Sequence, residues 1–251
     1  MYRPGVSRLD SVNIRIGIAD DQTEQAVEAF GLQSIGPSQS TVHLFDYRAG
    51  TAVPSLAVGG VIIAAYDSAD VSLLTVQVRH VRRLHPRWAA FYGQDSETLR
   101  IEEERDSTRR VLAASFTVRG GHHPQESADP HLRLTDLLTP SQWSFMQDCA
   151  PGQPRSGPLV RLGPILALDW TVRLDRIDAT VSRWRHFGAA DGREPVLDAI
   201  EVSRRSLPEE AGFLYPALAT PIRRQGLDPD GGIPWLEMRA ASRLQARDYE
   251  P

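Results

Sequence analysis

Three stretches between Thr41 and Arg79 decide the fold: TVHLF (41–45), GGVIIAAY (59–66) and LLTVQVR (73–79). Each reads as a short strand. On the second and third, the residues that share one face are Ile62, Ala64 and Tyr66, then Thr75, Gln77 and Arg79. A barrel built from such strands points every second side chain into its lumen, so these positions set the chemistry of its interior.

Outward from this block the same period recurs. SVNIRIGI (11–18) alternates polar and apolar residues, and Asp20 starts a short helix running to about Gly31 with Ala26, Val27 and Phe30 on one face. LRIEEER (99–105) is an acidic strand, whereas RVLAASFTVR (110–119) fits both helix and strand. GGHHPQESADP (120–130) is a loop by its Gly, Pro and polar content. Thr139-Pro140-Ser141-Gln142 is a capping box with proline at the first helical position. Three more strands follow: GPILALDWTVRL (163–174), DATVSRWRHF (178–187) and VLDAIEVSRR (196–205). Ser206-Leu207-Pro208-Glu209 reads as a second capping box, its helix carrying Ala211, Leu214, Tyr215, Leu218 and Ile222 and closed by Gly226. PWLEMRAASRL (234–244) reads as a last strand. About eight strands with few crossover helices favour an antiparallel closed sheet over a doubly wound one.

The bulk numbers narrow the function classes. At 251 residues the chain can bury a sizeable core, and one domain spanning 1–251 is the expectation. Without a bilayer-spanning apolar run or a signal-peptide core, the reading is cytoplasmic and without a membrane partner. A net charge of −4 argues against a dedicated nucleic-acid binder, and the basic run RHVRRLHPR (79–87) reads as a solvated strand end and loop. Lysine is absent, which excludes Schiff-base chemistry and a P-loop lysine but leaves bidentate arginine recognition. The single cysteine, Cys149, excludes an intrachain disulfide and reads as a structural thiol in the helix after Thr139. His122-His123 alone does not complete a metal shell, and DPDGG (228–232) is a turn rather than a calcium loop. Trp88, Trp143, Trp170, Trp184 and Trp235 read as core or rim residues.

In order and spacing, HLFD (43–46), GGVII (59–63), LTPSQ (138–142), RLGPI (161–165) and AIEVS (199–203) resemble the CYTH superfamily, the triphosphate tunnel enzymes, with actinobacterial CYTH-like proteins nearest in pattern. The resemblance covers about Ser11 to Leu244. It implies an α+β fold: an eight-stranded antiparallel β-barrel, or tunnel, with a few flanking helices. In that family acidic residues hold Mg²⁺ or Mn²⁺ at one end, and Lys and Arg along the walls hold a triphosphate.

Most of the matching positions carry other residues. The opening E-x-E-x-K register falls on Ser11, Asn13 and Arg15, and the R-x-R after GGVI on Ala64 and Tyr66. The next basic pair is Gln77 and Arg79. The wall after LGPI is Asp169 and Thr171, and the acidic position before Trp184 is Ser182. Glu201 matches an acidic family position, Glu102 and Glu104 lie in the acidic strand, and the last basic position falls near Glu237, with Arg239 two residues on. A triphosphate carries about four charges, and each one buried without a partner costs several kcal/mol. Arg15, Arg79 and Arg239 are too few.

The leading expectation is therefore a repurposed barrel enclosing a small organic substrate for cofactor-independent cyclisation or isomerisation in secondary metabolism, with no metal and no cofactor. Tyr66, Asp169 and Glu201 are the candidate catalytic groups. The candidate substrate-binding set is Asn13, Arg15, Ala64, Gln77, Arg79, Glu102, Glu104, Thr171, Ser182 and Trp184. Two rivals stay open: a divergent metal-dependent triphosphate hydrolase using Glu102, Glu104 and Glu201, and a non-catalytic small-molecule binding protein. A barrel filled by its own side chains, or carboxylates held in a structural network with Arg15, Arg79 or Arg173, would be the plain alternative to a site.

Overall fold

Strands with one apolar face and unpaired backbone on both edges satisfy both demands by closing on themselves. The computed structural model describes residues 8–47, 55–81, 84–91, 93, 96–120, 132–150, 152, 157, 159–187, 195–230, 237 and 240. Among these, the strands are β1 (Ser11–Gly17), β2 (Ser38–Tyr47), β3 (Val61–Asp67), β4 (Ser72–Arg79), β5 (Glu97–Arg105), β6 (Arg110–Arg119), β7 (Leu159–Leu174), β8 (Ile177–Phe187) and β9 (Pro195–Ser206). They close in the order β1-β5-β6-β4-β3-β2-β7-β8-β9.

The tunnel-type barrel matches the expected fold, with two corrections. Among the described residues there are nine strands rather than eight, and the stretch that fits both helix and strand is β6. The sheet is also mixed: β1 runs parallel to β5 (Ser11 opposite Glu102) and antiparallel to β9 (Val12 opposite Ser206). Inserting β1 between β5 and β9 closes the ring.

Two apolar layers outside the wall hold it in shape. One packs β2–β6 beneath the helices α2 (Pro86–Ala89), α3 (Leu134–Leu137) and α4 (Pro140–Cys149), with Phe116, Phe145 and Trp88 at its centre. The expected capping box starts α4: Thr139 accepts from the Gln142 N–H and Gln142 accepts from the Thr139 N–H. Buried Gln142 also donates to the Leu74 carbonyl at 2.8 Å, which fixes α4 to β4. Burial pushes the Cys149 thiol up to about 12, helped by Asp148, so it is an inert packing group.

The second layer packs β1, β7, β8 and β9 against α1 (Thr23–Ala29) and α5 (Leu214–Arg224). Arg183 grips Asp198 through two nitrogens and also reaches Glu24 on α1. The expected second capping box is not formed. Leu207 is the cap of a 3-10 turn (Pro208–Phe213), without a side-chain bond, and α5 begins only at Leu214. Tyr215 and Arg223 both donate to Asp230, and Asp230 N–H to Asp228, so the 228–230 segment is a turn as expected.

The third apolar cluster lies inside the barrel. Val42, Leu44, Ile62, Ala64, Ile165, Leu197 and Ala199 fill one end of the lumen with Leu162, Ala57 and Ala240. The β2–β7 register shifts between Val42 and Leu44, opposite Gly163. Gly163 has φ +117, and a Cβ there would meet the Val42 carbonyl oxygen at 2.9 Å, so only glycine fits this close approach. Glu237 and Ala240 have helical backbone rather than the expected strand; the rest of 234–244 is outside the described residues. So are the His122-His123 pair, Trp235 and Arg239.

Candidate functional site

Because one end is plugged, the tunnel is a cup. Its cavity of about 620 Å³ lies towards the end where Asp67, Ser72, Arg119 and Ser206 terminate or begin their strands. Alternation supplies the wall: Asn13 and Arg15 from β1, Thr75 and Gln77 from β4, Glu102 and Glu104 from β5, and Glu201 from β9. Tyr66, Asp169, Ser182 and Trp184 complete the central belt. Much of the remaining surface is hydroxyl: Ser40, Ser96, Thr98, Ser115, Thr117 and Ser203.

Of the expected site residues, Asn13, Arg15, Tyr66, Gln77, Glu102, Glu104, Asp169, Ser182, Trp184 and Glu201 come together here. Three do not line the cup. Ala64 faces inward but belongs to the apolar plug, at 2% exposure. Thr171 lies further along β7, exposed, in a separate groove with Asp178 and Thr180. Arg79 is buried behind Glu104. Periodicity gives the face a residue points to, not its height along the barrel axis.

The base of the cup is a dense ionic cluster. The Arg15 guanidinium donates to three carboxylates: Nε to Glu201 at 2.8 Å, Nη1 to Glu104 at 3.0 Å and Nη2 to Glu237 at 3.1 Å. Glu104, 1% exposed, also accepts from Gln77 at 3.1 Å and from Arg79 Nε at 2.8 Å, with Arg79 Nη2 at 2.7 Å. Among the described residues two arginines therefore face three glutamates, an excess of one negative charge (two minus three). Burial works against the Arg15 charge, but Glu201, Glu237 and Glu104 outweigh it and hold the group well above its ordinary range. At Arg79 burial wins and the shift is downward, despite Glu104.

Above this base, burial holds the Tyr66 hydroxyl protonated, raising it far above its usual range, with Glu237, Asp169 and Glu201 adding to the rise against Arg15. Its ring meets Trp184 edge-on, centroids 6.5 Å apart. Burial also raises the Asp169 carboxyl, Glu237 adds to the rise, and a hydrogen bond from Ser182 opposes it. Glu102 is tied to Ser11 at 2.6 Å and to the half-exposed Arg205.

A divalent ion does not fit these donors as they stand. Among the described residues no group of three His, Cys, Asp or Glu side chains is placed to hold a metal ion. Glu104, Glu201 and Glu237 instead direct oxygens at one guanidinium, which occupies the centre between them. The role of Arg15 as their hub was only partly readable in the sequence, since Glu237 lies 222 positions away.

No protein-family model matches the chain, and a search of curated proteins finds no match. Among solved structures, the chain is similar to a putative adenylyl cyclase from Hippeastrum described as having a dominant triphosphatase activity, with TM-score 0.48 and 14% identity over 92% of this chain and 96% of that one. A putative adenylate cyclase from Bacillus halodurans gives TM-score 0.46 and 8% identity over 87% of this chain and 90% of that one. The likeness is one of fold, and the activities named are those proteins' own.

The Asp169 shift has a measurable consequence. The folded state binds the Asp169 proton more tightly than the unfolded chain, whose carboxyl titrates at its ordinary 3.8, so this group's contribution to stability falls as pH rises from that value through the raised one. Asp169→Asn removes the penalty. Urea melts of the variant should show equal or higher stability than wild type at pH 7, and the difference should vanish near pH 3 to 4. A variant less stable at pH 7 would contradict the shift.

Proposed function

We propose that the cup binds one small organic molecule and promotes its cyclisation or isomerisation by proton transfer, without metal or cofactor. The observation that carries this reading is the saturation of Arg15: with its three donor faces on Glu104, Glu201 and Glu237, the deep wall offers a polyanion no spare cation among the described residues. A triphosphate pushed to this depth would meet net negative charge in a desolvated space, at several kcal/mol per unmatched charge. The volume of about 620 Å³ suits a single small ligand.

Chemically, the Asp169 carboxyl, whose hold on a proton is strengthened by burial, is the proton donor in this reading, and the Tyr66 hydroxyl is a second hydrogen-bond donor to a developing oxyanion. The Tyr66–Trp184 pair supplies the apolar surface that folds the ligand into a reactive shape. Glu201, anchored on Arg15 and set in the same row as Asp169 with only Ser182 between them, accepts a proton.

Native mass spectrometry of the purified protein, exposed to a small-molecule extract of the cells that make it, tests this. The expected result is a single organic adduct on wild type, lost in Tyr66→Arg, which places a cation and bulk in the cup. With Asp169→Asn the adduct should persist but come off unconverted, as judged by chromatography against the wild-type product. Absence of any organic adduct on wild type, or adducts of polyphosphate with divalent ions, would count against the reading.

A further inference from the structure

Arginines in and behind the cup fall into two groups. Arg15, Arg79 and Arg205 each grip a glutamate. Arg100 on β5 and Arg119 on β6 line the same cavity, are exposed, and have no acidic partner among the described residues. They sit in one cradle. Thr98 pairs with Thr117, Arg100 stands opposite Ser115, and the Arg119 N–H bonds the Ser96 carbonyl, so the two arginines flank the threonine pair on the lumen face. Thr75 of β4 stands next to Thr117, their hydroxyls 2.9 Å apart.

Their backbones are about four residue rises apart, roughly 13 Å, a gap that two extended arginine side chains can close onto one group. Like charges so placed repel each other in the empty cup; an anion between them turns repulsion into charge-assisted, bidentate hydrogen bonds. The carboxylates on the same wall do not fill this role. Glu102 is held by Arg205 and Ser11, Glu104 by Arg15, Gln77 and Arg79, and Glu97 lies on the opposite face of β5 by alternation. The mouth is thus cationic and rich in hydroxyls, the middle aromatic and the base acidic.

We propose that Arg100 and Arg119, with the hydroxyls of Thr75, Thr98 and Thr117, form a subsite at the mouth of the cup for a carboxylate or phosphate monoester group of the ligand, whose apolar body lies against Tyr66, Leu73 and Trp184. This rests on the reading of the cup as a ligand site and names the class of ligand: a molecule with one acidic end and an apolar body, inserted body first. The single acidic group stays at the solvated mouth, so it does not meet the negative base.

The test is calorimetric titration of phenyl phosphate, phenylacetate and the neutral 2-phenylethanol into wild type and the Arg100→Ala/Arg119→Ala double variant, with circular dichroism to confirm that the variant is folded. Both arginines are exposed and unpaired among the described residues, so the fold should survive. At least one anion should bind wild type tenfold or more tighter than 2-phenylethanol, and the double variant should lose on the order of 10- to 100-fold of that affinity with 2-phenylethanol unchanged. Preference for the phosphate or for the carboxylate arm would identify the acid. Equal affinity for anions and the neutral compound on wild type, an anion preference that persists in the variant, or no binding by any of the three would overturn the subsite. The cup reading would still be decided separately, by the organic adduct in native mass spectrometry.

Discussion

Glu104→Ala should lower the stability of this protein by about 3–5 kcal/mol, the largest effect expected from a single polar substitution. Its two oxygens accept from Arg15, Gln77 and Arg79 in a space where the glutamate is 1% exposed. Deleting it strands Arg79, 3% exposed, without the carboxylate that offsets its burial, and removes one of the three partners of Arg15. The comparison is Glu102→Ala on the same strand. Glu102 is paired with Arg205, whose side chain is 48% exposed and regains water when the pair is broken, so the loss should be only about 1 kcal/mol. Urea titrations of both variants, analysed for midpoint at constant slope, measure the difference. Equal losses would mean that the ionic base is not the desolvated cluster described above.

The second large effect lies outside the wall. Phe116→Ala should cost about 3–5 kcal/mol, because Phe116 is fully buried where Trp88, Phe91 and Phe145 converge at 5.3–5.7 Å. The physical point is a division of labour. A barrel with a polar cup draws only on the apolar plug at one end of its interior, so the layers packed on its outside must supply much of the rest. Thermal melts should show the large drop, while phenyl phosphate titrated at a temperature where the variant remains folded should bind as it does to wild type. A loss below about 1 kcal/mol would mean that the outer layer does not hold the barrel together.

The wall of the cup was largely legible in the sequence, for a simple reason. A period of two is local, so Tyr66 and Gln77 declared their facing from the strand pattern alone, whereas Asp169 and Glu201 were reached through the resemblance. The same rule, continued two residues back from Glu102 and two on from Thr117, would have placed Arg100 and Arg119 on the lumen face. Neither carries a motif signal: Arg100 is a lone cation ahead of an acidic run, and Arg119 ends a stretch that fits both helix and strand, which leaves its facing open. Height along the axis was not legible: Ala64 and Thr171 have the expected parity but lie in the plug and beyond the cup. Nor was the parallel β1–β5 pairing, which joins residues some ninety positions apart, or the contact between Arg15 and Glu237. Such contacts depend on closure of the whole ring, which no window of sequence contains.

Phosphate release from inorganic triphosphate, followed with and without Mg²⁺ or Mn²⁺, addresses the central claim most directly, because it asks whether the deep arginines are available to a polyanion. If Arg15 and Arg79 are committed to Glu104, Glu201 and Glu237, release should stay at the level of the protein-free control with either metal. Metal-dependent release that disappears in Glu104→Gln would show that these side chains serve a metal and a triphosphate, and would contradict the account.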